Sequence, residues 1–162
     1  MEMRPLLAVV LAAAAIGVVP ASSHATQLAA QSAGQPAASA VGTPLAGYRI
    51  QSTSRTGDSG ATISQPGYNA GSWVPAGPRS TVLAALLANG QYSDPFFSNN
   101  MASIPTSEFT VPWWYRSEFN LTAEPGTRTY LDFSGVISKA DVFVNGTQVA
   151  NATQVAGAYT HH

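Results

Sequence analysis

The carboxylates are the side chains of this chain that could perform chemistry. Glycoside hydrolysis requires two of them facing each other across the bond that is cut. Glu118, Asp132 and Asp141 alternate with apolar residues, which predicts the solvent side of strands or a charge pair with a neighbouring base. Asp58 and Glu124 lie in turn-like segments. The seven carboxylates that follow residue 44 are Asp58, Asp94, Glu108, Glu118, Glu124, Asp132 and Asp141. No pair among them fits an acid and a base, so we predict no catalytic residue.

Other catalytic groups are scarce as well. A nucleophilic serine needs a base, which is usually histidine, and the histidines are His24, His161 and His162. The chain has no cysteine, and its histidines and carboxylates lack the clustering that a metal needs. No glycine-rich phosphate loop is present. The sequence therefore predicts no metal site and no cofactor.

A second chemistry is available to the aromatic side chains. Asp94 precedes a proline and two adjacent phenylalanines, Phe96 and Phe97, in a segment with the composition of a loop. Binding residues concentrate in loops, and flat rings suit the apolar faces of sugars. The alternatives are that Asp94 only caps the turn that starts at Pro95, and that aromatic residues such as Trp114 belong to the core. Composition does not separate these interpretations.

The elements that must position these residues begin after an export signal and a linker. Arg4, an apolar run at residues 6–19 and small residues before Ala25 predict a signal peptide over residues 1–25. The run is shorter than the roughly 18–20 residues of a membrane span. Residues 26–44 have the composition of a flexible linker, so the folded domain occupies residues 45–162. We expect a secreted, extracellular protein that leaves the membrane after signal cleavage.

Alternating apolar and polar residues predict a mainly β domain. The net charge is −1 and only 9% of residues are charged, so nucleic acid is a poor partner. Short alternating segments separated by turn residues are typical of a β-sandwich. Asn145-Gly146 is a strong hairpin signal between two of them. The predicted strands are residues 47–52, 61–64, 113–121, 129–133, 140–144 and 147–150.

One short helix is predicted on the outside of the sandwich. Ser80 or Thr81 can cap its start, an apolar stripe runs to Leu87, and Asn89-Gly90 supplies the stop. Residues 65–77 are rich in glycine and proline and are predicted to form a loop, with Trp73 as the plug that buries it.

Three segments of the chain resemble a known family. They are residues 80–100 with the Asp94-Pro95-Phe96-Phe97 sequence and Asn100, residues 111–119, and residues 131–146. Their order and spacing are similar to the N-terminal region of glycoside hydrolase family 2, in its exo-β-glucosaminidase and β-mannosidase branch. The resemblance covers about residues 45–159. It implies a jelly-roll, galactose-binding-like sandwich that is incomplete at its C-terminus, with further strands expected after Tyr159.

The resemblance also implies a function. Family members carry their catalytic carboxylates in a downstream (β/α)₈ barrel, so this chain is expected to be a non-catalytic sugar-binding module whose partners are the missing downstream domains and a carbohydrate of amino-sugar or mannose type. Whether the chain is itself an enzyme is left open. The alternatives are a free-standing carbohydrate-binding module and a truncated product without activity. The candidate sugar contacts are Asp94, Phe96, Phe97, Asn100 and Trp114.

Overall fold

The computed structural model describes residues 7–8, 44–121, 128–157 and 161–162. Its strands form three small antiparallel sheets, in the orders β3-β2-β4, β1-β6-β7 and β5-β8. The strands are β1 (Leu7–Ala8), β2 (Tyr48–Ser52), β3 (Val74–Ala76), β4 (Trp113–Arg116), β5 (Val136–Lys139), β6 (Val142–Val144), β7 (Thr147–Ala150) and β8 (Ala156–Gly157). The mainly β prediction is therefore confirmed.

The pairing of β2 with β4 separates two apolar clusters. Ile50 lies opposite Tyr115 and Ser52 opposite Trp113, so one set of side chains shares a face of this sheet. The intervening residues, which include Trp114 and Arg116, point to the other face. The first cluster consists of Ile50, Ala85, Leu86 and Trp113, and the second of Ile63, Ala70 and Trp73. Burial against the first cluster raises the pKa of the Tyr115 hydroxyl to about 12.

The predicted short helix is confirmed as α2 (Val82–Ala88). The Thr81 side chain accepts a hydrogen bond from the backbone N–H of Ala84 at 3.2 Å, which satisfies one of the free donors of the first turn. Gly90 has a φ of 71° and ends the helix in the left-handed conformation. Leu86 is fully buried on the β2–β4 sheet, so a helix too short to be stable alone is held by packing.

Two further short helices were not predicted. Residues 61–64 were expected to form a strand, but α1 (Gly60–Ile63) is a helix because the Ser59 hydroxyl accepts a hydrogen bond from the Thr62 N–H at 3.2 Å. The other is α3 (Asn100–Ser103). Two 3₁₀ turns accompany them, at Thr53–Arg55 and Thr106–Phe109. The described residues therefore contain three α-helices, where one was predicted.

The β6–β7 hairpin is confirmed at Asn145-Gly146. Both residues have positive φ, 48° and 88°, as the tightest hairpin turn requires. The buried Ser64 side chain accepts a hydrogen bond from the Gly146 N–H at 2.8 Å, which ties the turn to the segment after α1. A third apolar cluster lies beside this hairpin and consists of Val136, Ala140, Val142 and Val155.

Three strand boundaries differ from the prediction. The strand expected over residues 113–121 ends at Arg116, and β3 lies inside the predicted loop 65–77. The segment 129–133 is not a strand, although Leu131 and Phe133 pack against the third cluster as expected. The strand of this region is β5, which begins three residues after the predicted segment ends. Alternation identified the side chains that pack inward here, and the backbone of Phe133 exchanges two hydrogen bonds with His162, at 3.0 and 3.1 Å.

The predicted signal peptide and linker fall almost entirely outside the described residues. Leu7–Ala8 pairs with β6, and Pro44 precedes β2. None of the helices in the part that is described has the length and apolar character needed to cross a membrane.

Gly60 makes the closest approach between α1 and the β6–β7 hairpin. A Cβ atom at this position would lie 2.6 Å from Cδ2 of Phe143, too close for any real contact. Gly60→Ala is expected to lower the free energy of unfolding by about 1–3 kcal/mol, measured by urea denaturation, because the ring must move out of its packed position. Gly57→Ala is the matched control, since a Cβ there meets no atom within 4 Å. Equal stability of the two variants would contradict this packing.

Candidate functional site

The candidate site is the aromatic loop, defined here as residues 93–107, which follows α2 and includes the first half of the Thr106–Phe109 turn. Asp94 opens it with a side-chain turn, because its Oδ1 accepts a hydrogen bond from the Phe96 N–H at 2.9 Å. The Asn100 side-chain amide donates to the Asp94 carbonyl at 2.9 Å. Asp94 therefore caps the turn that starts at Pro95. The structure also brings Asp94, Phe96, Phe97 and Asn100 into one turn, as the sequence predicts.

The two phenylalanines of this loop face solvent. The exposed fraction of the side chain is 90% for Phe96 and 71% for Phe97, and the neighbouring Met101 is 52% exposed. Pro95, between Asp94 and Phe96, is buried and fixes the loop to the body. Exposure of adjacent aromatic rings is uncommon in a folded domain and indicates a binding surface.

A polar group that the sequence interpretation missed lies at the base of the aromatic loop. Glu108 accepts hydrogen bonds from the Tyr92 hydroxyl and from the Arg55 guanidinium, the latter at 2.8 Å. The Glu108 carbonyl accepts from the indole N–H of Trp113 at 2.8 Å. The bond to the Glu108 carboxylate is the main reason why the pKa of Tyr92 is raised. Since Tyr92 and Glu108 are sixteen residues apart, no sequence periodicity could pair them.

Trp114 does not join the aromatic loop. It follows Trp113 on β4 and therefore points to the opposite face of the sheet, where it packs against the second cluster. Its ring meets the ring of Phe143 edge to face, with centroids 6.5 Å apart. Its indole N–H is buried and has no hydrogen-bond partner among the described residues. A sugar contact through Trp114 stays a prediction. Trp73 is buried in the second cluster, as the plug interpretation expects.

Arg116 is a buried charged residue on the same face of β4 as Trp114. Only 5% of the side chain is exposed. Its guanidinium donates to the carbonyls of Ile63 at 3.0 Å and Gln65 at 3.1 Å, and to the Glu118 carboxylate at 2.9 Å. These bonds fix the segment after α1 to β4. A shallow, open depression beside it is lined by Arg49, Tyr68, Asn69 and Glu118.

Three other described carboxylates bond to nearby donors. Asp58 accepts from the Tyr68 hydroxyl at 2.7 Å, and Asp141 accepts from the side-chain amide of Gln148 at 3.0 Å. Glu118 pairs with Arg116, as the charge-partner interpretation expects. Across residues 44–121 and 128–157, no group of three histidines or carboxylates is placed to hold a metal ion. The arrangement suits binding through exposed rings and a loop carboxylate.

The chain matches a family model described as "Glycosyl hydrolase 2 galactose-binding domain-like", over residues 51–162. Curated relatives include an exo-β-D-glucosaminidase of Streptomyces avermitilis, which is 62% identical over 120 residues, or 74% of this chain. The exo-β-D-glucosaminidase of Amycolatopsis orientalis is 51% identical over 163 residues, or 98% of this chain. The matched part is 13% of the first relative and 15% of the second.

Solved structures agree with the sequence matches. The crystal structure of the Amycolatopsis orientalis exo-chitosanase CsxA matches with a TM-score of 0.69 and 54% identity, covering 74% of this chain and 14% of that one. A complex of the same exo-chitosanase with PNP-β-D-glucosamine gives the same values. The jelly-roll, galactose-binding-like sandwich expected from the sequence is therefore confirmed.

Arg116 offers a test of the packing behind the site. Arg116→Lys is expected to lower the free energy of unfolding by about 2–4 kcal/mol in urea denaturation, because one ammonium cannot reach the three acceptors that the planar guanidinium joins. The control is Arg79→Lys at an exposed position, which should change the free energy of unfolding by less than about 0.5 kcal/mol. Similar stabilities of the two variants would contradict the structural role of Arg116.

Proposed function

This chain belongs to the glycosyl hydrolase 2 galactose-binding-domain-like family, and we propose on that premise that it is the non-catalytic sugar-binding module of an exo-β-D-glucosaminidase. In this role it frames the active site and contacts the sugar through its aromatic loop. The hydrolysis of the O-glycosyl bond is the task of catalytic carboxylates on further domains, which are its proposed partners. The chain spans 13–15% of the length of the curated relatives it matches, which supports a modular role.

The exposure of Phe96 and Phe97 is the observation that carries this proposal. Flat rings pack against the C–H faces of a pyranose, and these two rings are presented on a turn that Asp94 and Asn100 hold in place. A turn whose shape is already held by hydrogen bonds loses little conformational freedom when it binds a ligand. They therefore suit the recognition of a sugar at low cost in ordering.

The Asp94 carboxylate favours an amino sugar over a neutral one. Its Oδ1 is engaged by the Phe96 N–H, and its Oδ2 has no partner among the described residues. Glucosamine carries an ammonium group when protonated, and a carboxylate oxygen is the acceptor that such a group prefers. The proposed ligand is therefore a β-linked glucosamine unit at the end of a chitosan chain. The relatives named exo-β-D-glucosaminidase are consistent with it.

Export is also part of the proposed function. The Amycolatopsis orientalis relative aligns with 98% of this chain, so the alignment includes the segment with the composition of a signal peptide. Chitosan is a polymer that a cell meets outside its membrane. A secreted location therefore agrees with the proposed substrate.

A chimeric enzyme tests the proposal. Residues 51–162 of this chain would replace the aligned segment of the Amycolatopsis orientalis exo-chitosanase, and hydrolysis of PNP-β-D-glucosamine would be measured. We expect an active chimera. In it, Phe96→Ala, Phe97→Ala and Asp94→Asn should each raise KM by roughly three- to tenfold, because each removes about 1 kcal/mol of sugar binding. The 162-residue chain alone should release no nitrophenol.

The matched control is Tyr130→Ala, another exposed aromatic residue that lies outside the aromatic loop. This substitution should leave KM unchanged. An inactive but folded chimera would contradict the assigned module, and unchanged KM in all three loop variants would contradict the sugar contacts. Hydrolysis by the isolated chain would show that the module is catalytic after all.

A further inference from the structure

The ends of the aromatic loop are joined by one side-chain hydrogen bond. The Tyr92 hydroxyl, just before the loop, donates to Oε2 of Glu108, just after it. We call the hydrogen-bonded pair of Tyr92 and Glu108 the clasp. A bond between two residues sixteen positions apart closes the loop at its base, where a small displacement moves every residue that the loop carries.

The clasp is anchored on the rest of the domain at three points. The Tyr92 ring packs against the first cluster. Oε1 of Glu108 accepts from Arg55, which lies in the turn that follows β2. The indole N–H of Trp113 donates to the Glu108 carbonyl and so fixes the same residue to β4. The turn after β2 and the strand β4 thus hold Glu108 in place.

Inside the aromatic loop, the hydrogen bonds are local. The Asp94 side chain reaches two residues ahead, and Asn100 reaches back six residues to the Asp94 carbonyl. Such bonds fix the shape of the turn and leave its position relative to the sandwich undetermined. Pro95 and Ile104 are buried and contribute apolar packing, which has no directional preference. The orientation of the loop therefore depends on its base.

We propose that Tyr92 and Glu108 are positioning residues, which hold the aromatic loop in the orientation that presents Asp94, Phe96 and Phe97 to the sugar. This inference rests on the proposed function for the identity of the ligand. Neither residue is assigned contact with the sugar. The raised pKa of Tyr92 agrees with this role, because the hydroxyl remains a donor wherever the Glu108 carboxylate is ionised.

Limited proteolysis of the 162-residue chain tests the clasp without any sugar. Chymotrypsin cleaves after phenylalanine, and Phe96 and Phe97 are both exposed on the loop. Tyr92→Phe removes the hydroxyl and keeps the ring, so it should increase the rate of cleavage at these two sites by about tenfold. Mass spectrometry assigns each cut. An unchanged rate would overturn the proposal.

Three further variants separate loop release from general destabilisation. Val142→Ala weakens the third cluster, on a different sheet, and should accelerate cleavage at all chymotryptic sites in proportion to its loss of stability in urea. Glu108→Gln keeps an acceptor for Tyr92 and should stay close to the wild-type rate, whereas Glu108→Ala should match or exceed Tyr92→Phe. If Tyr92→Phe behaved like Val142→Ala, the residue would be merely structural and the proposal would fail.

The chimeric enzyme supplies the functional measurement. Tyr92→Phe and Glu108→Ala should raise KM for PNP-β-D-glucosamine about three- to fivefold and change kcat by less than about twofold, and Glu108→Gln should restore most of the affinity. Equal losses in kcat and in affinity would contradict a positioning role. An inactive chimera would contradict only the proposed function, because the proteolysis experiment tests the clasp independently of any sugar.

Discussion

The pairing of β2 with β4 is the interaction on which the rest of the structure depends. Its register assigns alternate residues of β4 to opposite faces, so a shift by one residue would exchange Trp113 for Trp114 and move Arg116 out of its three hydrogen bonds. One face receives α2 and, through Tyr92 and Trp113, the base of the aromatic loop. The other receives α1 and Trp73. The loop that we assign to sugar binding is thus oriented by the pairing of β2 with β4.

The fold class could be predicted from the sequence because short segments of alternating apolar and polar residues are separated by turn residues. The hairpin at Asn145-Gly146 and the helix capped by Thr81 depend on local rules, and both appear where expected. The failures have two causes. At residues 61–64 a local cap at Ser59 outweighed strand propensity. At residues 129–133 the inward side chains were identified correctly and Phe133 pairs with His162, yet the strand of this region is β5, which follows at Val136–Lys139.

Only the local geometry of the candidate site could be predicted. Asp94, Phe96, Phe97 and Asn100 are close in sequence, and their shared turn could be inferred from residue types alone. Glu108 was one of the seven carboxylates that follow residue 44, and its role comes from partners that are distant along the chain, Tyr92 and Arg55. The burial of Arg116 was missed for the same reason, since two of its acceptors are backbone carbonyls that no pattern marks. A single sequence does not reveal which polar residues, far apart along the chain, form hydrogen bonds with each other.

The central claim is that sugar meets this domain at the aromatic loop. The most direct measurement is a titration of the isotope-labelled 162-residue chain with a glucosamine oligomer, followed by backbone amide chemical shifts. The account predicts that the shift changes concentrate in residues 94–101 and that an N-acetylated oligomer, which lacks the ammonium group, produces smaller ones. Changes centred on the depression beside Arg49 and Asn69, or none at a saturating concentration of the oligomer, would contradict it.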